Sequence, residues 1–156
     1  MRKRTLILVT ALAAFALTVP VRAADTGNIA VSVSLQGVIE VSLDENTWSI
    51  GAIAINSNSA PSTFTATVGD TTTKLEIKGT DGAGGWTLGT RGAVNVFEVD
   101  VENPSLVLST SYQTLDASAA PYASVPFALT YKSPASDNKS ALVTQEFTIT
   151  VKASAP

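Results

Sequence analysis

The chain has 156 residues, no cysteine and no histidine, and its formal net charge is −3. The missing residue types exclude disulfide bonds, Ser-His and Cys-His nucleophile systems and an ordinary zinc site. The excess of acidic residues argues against nucleic acid as a partner, because an acidic surface repels a phosphate backbone.

Residues 1–23 have the pattern of a secretory signal peptide. A basic start at residues 2–4 is followed by an apolar run over residues 6–19, and Val21-Arg22-Ala23 places small residues where signal peptidase cleaves. The run of about 14 residues is shorter than the roughly 20 that span a bilayer, which favours a cleaved leader over a membrane anchor. No later segment is apolar enough to span one. We therefore expect a single exported domain over residues 24–156, located outside the cell, at its surface or in a periplasm.

The stretch over residues 29–43 alternates apolar and polar side chains with a period of two. Successive side chains of a strand point to opposite faces, so the pattern predicts a strand with one apolar face. At about 3.3 Å per residue the stretch would span roughly 50 Å, which is longer than an ordinary strand. Either the chain bends at Gln36-Gly37, or one half pairs outside its own domain.

Further segments predict short strands parted by turns rich in Gly, Asn, Asp and Pro. They lie at residues 48–55, 62–68, 74–78, 93–101, 106–108, 112–115, 125–131 and 143–151. No segment after the leader has sustained helical periodicity. Together these segments predict an all-β protein, an antiparallel immunoglobulin-like β-sandwich of about nine strands.

Three details of this sandwich follow from local pattern. A slip in the apolar phase between Val96 and Phe97 predicts a β-bulge. Pro126 has no N–H, so its strand should be at an edge there or the position should face away from the ladder. The last two strands are expected to form an antiparallel hairpin with a long loop, and residues 116–121 an Ala-rich turn.

Two tryptophans in similar surroundings are candidate ligand-binding residues. Trp48-Ser49-Ile50-Gly51 is repeated as Trp86-Thr87-Leu88-Gly89. Exposed, the two rings would offer an aromatic platform to a glycan or a cell-wall polymer. The alternative, which the shared phase with Ile50 and Leu88 favours, is that each tryptophan fills one end of the core.

The acidic residues Glu98, Asp100 and Glu102 lie on one face of one predicted strand. Same-face neighbours are about 7 Å apart and calcium takes six to eight oxygen ligands, so the run is a candidate Ca²⁺ site. The alternative is a solvated outer face. We expect no enzyme activity, because these acids alternate with core residues and no cleft is implied. The Gly-rich loop over residues 79–85 lacks the following helix of a phosphate-binding loop. We expect no cofactor other than the possible calcium ion.

A segment just after the leader is a candidate for donation to a neighbouring subunit. Its apolar phase consists of Ile29, Val31, Val33 and Leu35. Strand addition supplies main-chain hydrogen bonds, and pockets for alternate side chains supply specificity. The alternative is an ordinary first strand of the same sandwich.

Two stretches resemble the WxL class of bacterial cell-surface domains. Asp81 to Leu88, with Gly85-Trp86-Thr87-Leu88, is similar to the first motif of that class. Tyr122 to Pro134, with Ala128-Leu129-Thr130-Tyr131, is similar to the second, although Tyr131 stands where a tryptophan is expected. The resemblance implies non-covalent attachment to a cell wall. The Thr-rich alternating strands also resemble immunoglobulin-like modules and subunits of secreted bacterial fibres.

These observations favour a non-catalytic structural subunit outside the cell, a component of a fibre, matrix or surface layer. Its partners would be other copies of itself, joined by β-strand pairing or donation. The alternative is a cell-surface binding module that holds a cell-wall polymer or other glycan through Trp48 and Trp86.

Overall fold

The structure, a computed structural model, describes residues 37–139 and 144–156. The predicted signal peptide and the candidate donor residues Ile29, Val31, Val33 and Leu35 lie outside the described residues, as does Val143. Within these residues the chain forms strands, turns and loops and contains no helix. The described part of the chain accordingly has no helix long and apolar enough to cross a bilayer.

Nine strands lie within the described ranges. They are β1 (Val41–Leu43), β2 (Ser62–Val68), β3 (Thr73–Gly79), β4 (Thr87–Leu88), β5 (Val96–Glu102), β6 (Leu106–Val107), β7 (Gln113–Ala119), β8 (Ser124–Lys132) and β9 (Ile149–Ser154). Six of them form one sheet in the order β1-β2-β8-β5-β4, with β6 also on β5, and the other three form a sheet in the order β7-β3-β9. All pairs are antiparallel except β4 with β5. The predicted all-β fold is confirmed; its immunoglobulin-like character stays a prediction.

The two sheets enclose one hydrophobic cluster. Alternation places one phase of each long strand inside, because successive side chains of a strand point to opposite faces. Leu75 and Ile77 of β3 are fully buried, and they face the aromatic and aliphatic side chains of the larger sheet. The largest contributions from that sheet come from Phe64, Phe97, Val99, Val101, Phe127, Leu129 and Tyr131.

The strand predicted over residues 48–55 is wrong: this segment is irregular. Gly51 and Asn56 have left-handed backbone conformations, with φ of 75° and 58°, which an extended strand does not allow. The segment is held instead by the buried Ser133, whose hydroxyl donates to the carbonyl of Ala54 (2.6 Å) and accepts from the N–H of Ser57 (2.9 Å). Trp48, Ile50 and Ile53 thus pack on the core from a loop.

The predicted hairpin of the last two strands is also wrong. β8 pairs with β2 and β5, whereas β9 pairs with β3 in the other sheet. The long connection carries the chain from one sheet to the other. The local sequence pattern does not predict which sheet β9 joins. The expected turn over residues 116–121 is largely strand, because β7 continues to Ala119 by way of irregular pairing with β3.

The phase slip at Val96 marks the beginning of β5, and not the predicted bulge. Asn95 has a φ of 59°, and from Val96 onward β5 pairs with its neighbours without a shift in register. The prediction for Pro126 is confirmed. Pro126 lies opposite Thr65 of β2, but the pairing of β8 with β5 stops at Ala128, so β8 is an edge around the proline.

Candidate functional site

A cleft of about 1360 Å³ opens between the two sheets. One wall is the inner face of β2 and β8, the opposite wall is the chain leading into β9, and the irregular segment over residues 45–55 lines the opening. Phe127, Leu129 and Tyr131 of β8 line the cleft as well as the core. Burial raises the pKa of Tyr131 to about 12, so its phenol stays neutral. The cleft thus reaches the hydrophobic interior.

Both tryptophans line this cleft, and both are partly buried against the core. The Trp48 indole N–H donates to Ser62 Oγ at 2.9 Å, and its ring meets the edges of Phe64 and Phe147 at 6.1 and 6.3 Å between centroids. The Trp86 N–H donates to Asp137 Oδ1 at 3.1 Å. The structure therefore brings the two candidate ligand-binding residues to one cavity, each held by a hydrogen bond.

The chain opposite β8, which comprises residues 145–148 and β9, lines the cleft with a regular alternation. From residue 145 to residue 153 the odd-numbered side chains point inward and are partly buried, while Glu146, Thr148 and Lys152 are exposed. On the next strand, β3, the inward side chains Leu75 and Ile77 are fully buried. The apolar face of the small sheet is therefore well covered at β3 and incompletely covered beside the cleft.

The outer edge of residues 145–154, the edge that faces away from β3, has no strand partner among the described residues. β9 ends the order β7-β3-β9, so its ladder is on β3 alone. Upstream of β9, the carbonyls of Thr148 and Glu146 accept from the N–H groups of Thr80 and Ala83, on that same inner side. We call this outer edge the β9 edge. At about 3.3 Å per residue its ten residues extend roughly 33 Å.

Gln145 carries a buried amide at the cleft. Neither its Oε1 nor its Nε2 has a hydrogen-bond partner within the described residues, although both atoms are buried. The loop over residues 79–85 makes room for it: a Cβ on Gly82 would lie 2.7 Å from Oε1, and one on Gly84 would also collide with the amide. The sequence held a signal for this residue, because Gln145 is the polar exception in the apolar phase of its strand.

Replacing Gln145 by leucine is expected to raise the free energy of unfolding by about 1–3 kcal/mol, since a buried amide without partners carries its full desolvation cost. Denaturant unfolding monitored by tryptophan fluorescence measures the change. Gln113→Leu is the matched control. Its amide accepts from Ser109 N and donates to Val107 O, both at 3.0 Å, so that variant should lose stability. Equal destabilisation of both variants would contradict the prediction.

The acidic run lies on the outer face of β5, away from the cleft. Lys132 Nζ lies 2.5 Å from Glu98 Oε1 and 2.6 Å from Asp100 Oδ2, and Glu98 Oε2 accepts from the N–H of Arg91 at 2.6 Å. Two of the three candidate calcium ligands thus surround a lysine, while Glu102 is exposed. The described ranges contain no group of three or more acidic, His or Cys side chains placed to hold a metal. The calcium site stays a prediction.

Lowering the pH should reduce the free energy of unfolding, because Glu98 becomes protonated. Burial by itself would raise the pKa of this carboxyl, but hydrogen bonds from Lys132 and the Arg91 N–H outweigh it, and the pKa lies below 4.5. A lowered folded-state pKa contributes stability that is present above the ordinary value and is lost as the pH falls through the folded-state pKa. Glu98→Gln should therefore lose less stability than the parent chain between about pH 7 and about pH 3. Glu102→Gln removes an exposed carboxyl of the same strand and is the control for the loss of one negative charge. Denaturant unfolding at several pH values measures the difference.

No protein-family model matches the chain, and a search of curated proteins finds no match. The resemblance to the WxL class stays a prediction. The sequence had indicated the two tryptophans and the acidic run. It did not indicate the cleft or the β9 edge, which depend on how the strands are arranged in the two sheets.

Proposed function

We propose that the chain is a non-catalytic structural subunit that is exported and assembles with other copies of itself by β-strand pairing outside the cell. The observation that supports this most directly is the β9 edge beside an open cleft. An unpaired edge presents backbone N–H and C=O groups to another strand. The signal-peptide pattern at residues 1–23 supports export.

The β9 edge has few of the features that usually prevent such pairing. Natural edge strands are shortened, bent by bulges, interrupted by proline or protected by charged side chains, especially lysine. Of these features β9 has the exposed Lys152. The pairing of β9 with β3 is regular over six residues, and the segment from residue 145 to residue 154 has no proline. Its inward apolar side chains are Phe147, Ile149, Val151 and Ala153. Completing the burial of these side chains would contribute several kcal/mol, because full burial of a large apolar side chain is worth about 1.5–3 kcal/mol.

The test is the mass of the exported chain in solution as a function of concentration, together with negative-stain electron microscopy. We expect large oligomers or filaments that grow with concentration. A second sample beginning at Gly37 keeps all nine strands but lacks the candidate donor, and we expect it to remain small. A compact monomer of the exported chain at every concentration would overturn the proposal.

A second candidate function is supported by the position of the tryptophans. Trp48, Trp86 and Gln145 line the same cleft, and the amide of Gln145 has no hydrogen-bond partner in the part of the chain that the structure describes. Sugar rings stack on aromatic faces, and their hydroxyls hydrogen-bond to amides. A binding module for a cell-wall polymer or glycan would show a saturable change in tryptophan fluorescence on titration with cell-wall polysaccharide. Trp86→Phe should then reduce the affinity, and an unchanged titration would exclude this role for Trp86.

A further inference from the structure

We infer that the cleft and the β9 edge of one subunit accept residues 29–35 of a second copy, which lie alongside β9 and extend the small sheet. This inference rests on the proposed function and names the two surfaces that pair. It requires the acceptor to match the donor in length, side-chain phase and position relative to the point where the donor leaves its own domain.

The lengths are compatible. Seven residues of extended chain cover about 23 Å, and the ten-residue β9 edge covers about 33 Å. The β9 edge is therefore long enough to accommodate the whole donor segment. The cleft volume of about 1360 Å³ also exceeds what a few aliphatic side chains occupy, so side chains can enter without opening the core.

The side-chain phases are also compatible. In the donor the apolar phase is Ile29, Val31, Val33 and Leu35, and the other phase is small or polar: Ala30, Ser32 and Ser34. In the acceptor the odd-numbered side chains face the cleft and the even-numbered ones face outward. A strand added beside β9 continues this alternation, because a one-residue slip would turn its whole apolar set to solvent. The apolar phase of the donor would therefore complete the cover of the small sheet.

The exit point of the donor favours a second copy over the same copy. The N–H of Val38 donates to Asp70 Oδ1 at 2.7 Å, and the carbonyl of Glu40 accepts from Gly69 at 3.0 Å. These contacts fix the exit at the turn between β2 and β3. The end of β9 lies at this same end of the sandwich, because Ser154 pairs with Lys74. A donor that paired with its own β9 would have to reverse direction before Val38, whereas a donor that pairs with a second copy needs no reversal.

The cleft extends along the sandwich: Leu43 of β1 and Val151 of β9 line it, and so do Thr80 and Asp81, which follow the end of β3. The donor and the acceptor are different surfaces of the chain, so the interface between two copies is head-to-tail. Repetition of such an interface gives an open filament unless the rotation closes a ring.

Cysteine cross-linking tests the inference cleanly, because the chain has no cysteine of its own. One sample carries Val33→Cys and a second carries Val151→Cys; the two are unfolded together, refolded and oxidised. We expect a cross-linked species of twice the chain mass, at least about tenfold more abundant than with Ser32→Cys, whose side chain has the opposite phase. Ala153→Cys is a second acceptor position, with its own paired controls, should Val151→Cys fail to fold.

The outcomes separate the inference from the proposed function. A chain carrying both Val33→Cys and Val151→Cys that cross-links within itself, at the mass of one chain, would overturn donation between copies. Filaments that form with no excess of cross-link over the Ser32→Cys control would leave the structural role standing and overturn this pair of surfaces. An exported chain that never associates would overturn the proposed function itself.

Discussion

Replacing Phe97 by alanine should lower the free energy of unfolding by about 3–5 kcal/mol, the cost of removing a large aromatic side chain from a packed core. Phe97 is 1% exposed. Its ring centroid lies 5.0 Å from that of Phe147 and 5.7 Å from that of Tyr131, so it supports both walls of the cleft from β5. Small domains have only about 5–15 kcal/mol of stability in total, so this one change should remove a large part of it.

Urea unfolding, with tryptophan fluorescence as the signal, measures this effect. Val94→Ala is the control: it also shortens an apolar side chain just before β5, but Val94 is 50% exposed. That variant should remain within about 0.5 kcal/mol of the parent, because exposed positions away from special features tolerate substitution. If Phe97→Ala lost no more stability than Val94→Ala, the prediction that Phe97 holds the core together would be wrong.

Placing two aspartates in the apolar phase of the candidate donor should abolish assembly. Val31→Asp with Val33→Asp would bring two carboxylates against the apolar side chains that line the cleft, among them Phe127 and Leu129. An unpaired buried charge costs several kcal/mol per ion. Ser32→Asp with Ser34→Asp adds the same charge to the opposite phase, which would face solvent. We expect the second pair to assemble as the parent does.

Sedimentation of the two variants, each comprising residues 24–156, at equal concentration and ionic strength separates the effect of side-chain phase from the effect of added charge. Loss of assembly in both variants would indicate that the added negative charge is responsible. Retention in both would show that residues 31 and 33 do not enter an apolar site. The pair therefore reports whether this segment takes part in assembly, whereas cross-linking identifies where it lies.

The sequence pattern of the acidic run predicts which face of the strand the carboxylates share, but it does not determine which positive group neutralises them. The sequence indicates that Glu98 and Asp100 share one face of a strand, and the structure places them there. Lys132 reaches both carboxylates because β8 pairs with β5 in a register that sets Lys132 opposite Glu98. The sequence contains both residues but not this register, and the register decides which cation the carboxylates meet.

The strands that the sequence predicted well are those in which one apolar phase alternates with one polar phase. β2, β3 and the later part of β8 are of this kind, because alternation is a local property that each strand carries in its own residues. The absence of helix in the described ranges and the edge at Pro126 also followed from local chemistry. Gln145 was visible as an exception to its phase, although its buried and unpartnered state was not.

The arrangement of the strands, in contrast, was decided by tertiary structure. Adjacent strands in the sequence do not have to pair, and here β8 and β9 belong to different sheets. The apolar segment over residues 48–55 became a loop because Ser133, far along the chain, binds its backbone. Gly51 within the segment and Asn56 just after it also adopt left-handed conformations. The cleft is formed by elements distant in sequence, and the β9 edge is open because β9 comes last in the order β7-β3-β9. Composition and periodicity therefore determine which secondary structure each segment can form, while contacts between remote segments determine where an edge and a cleft remain open.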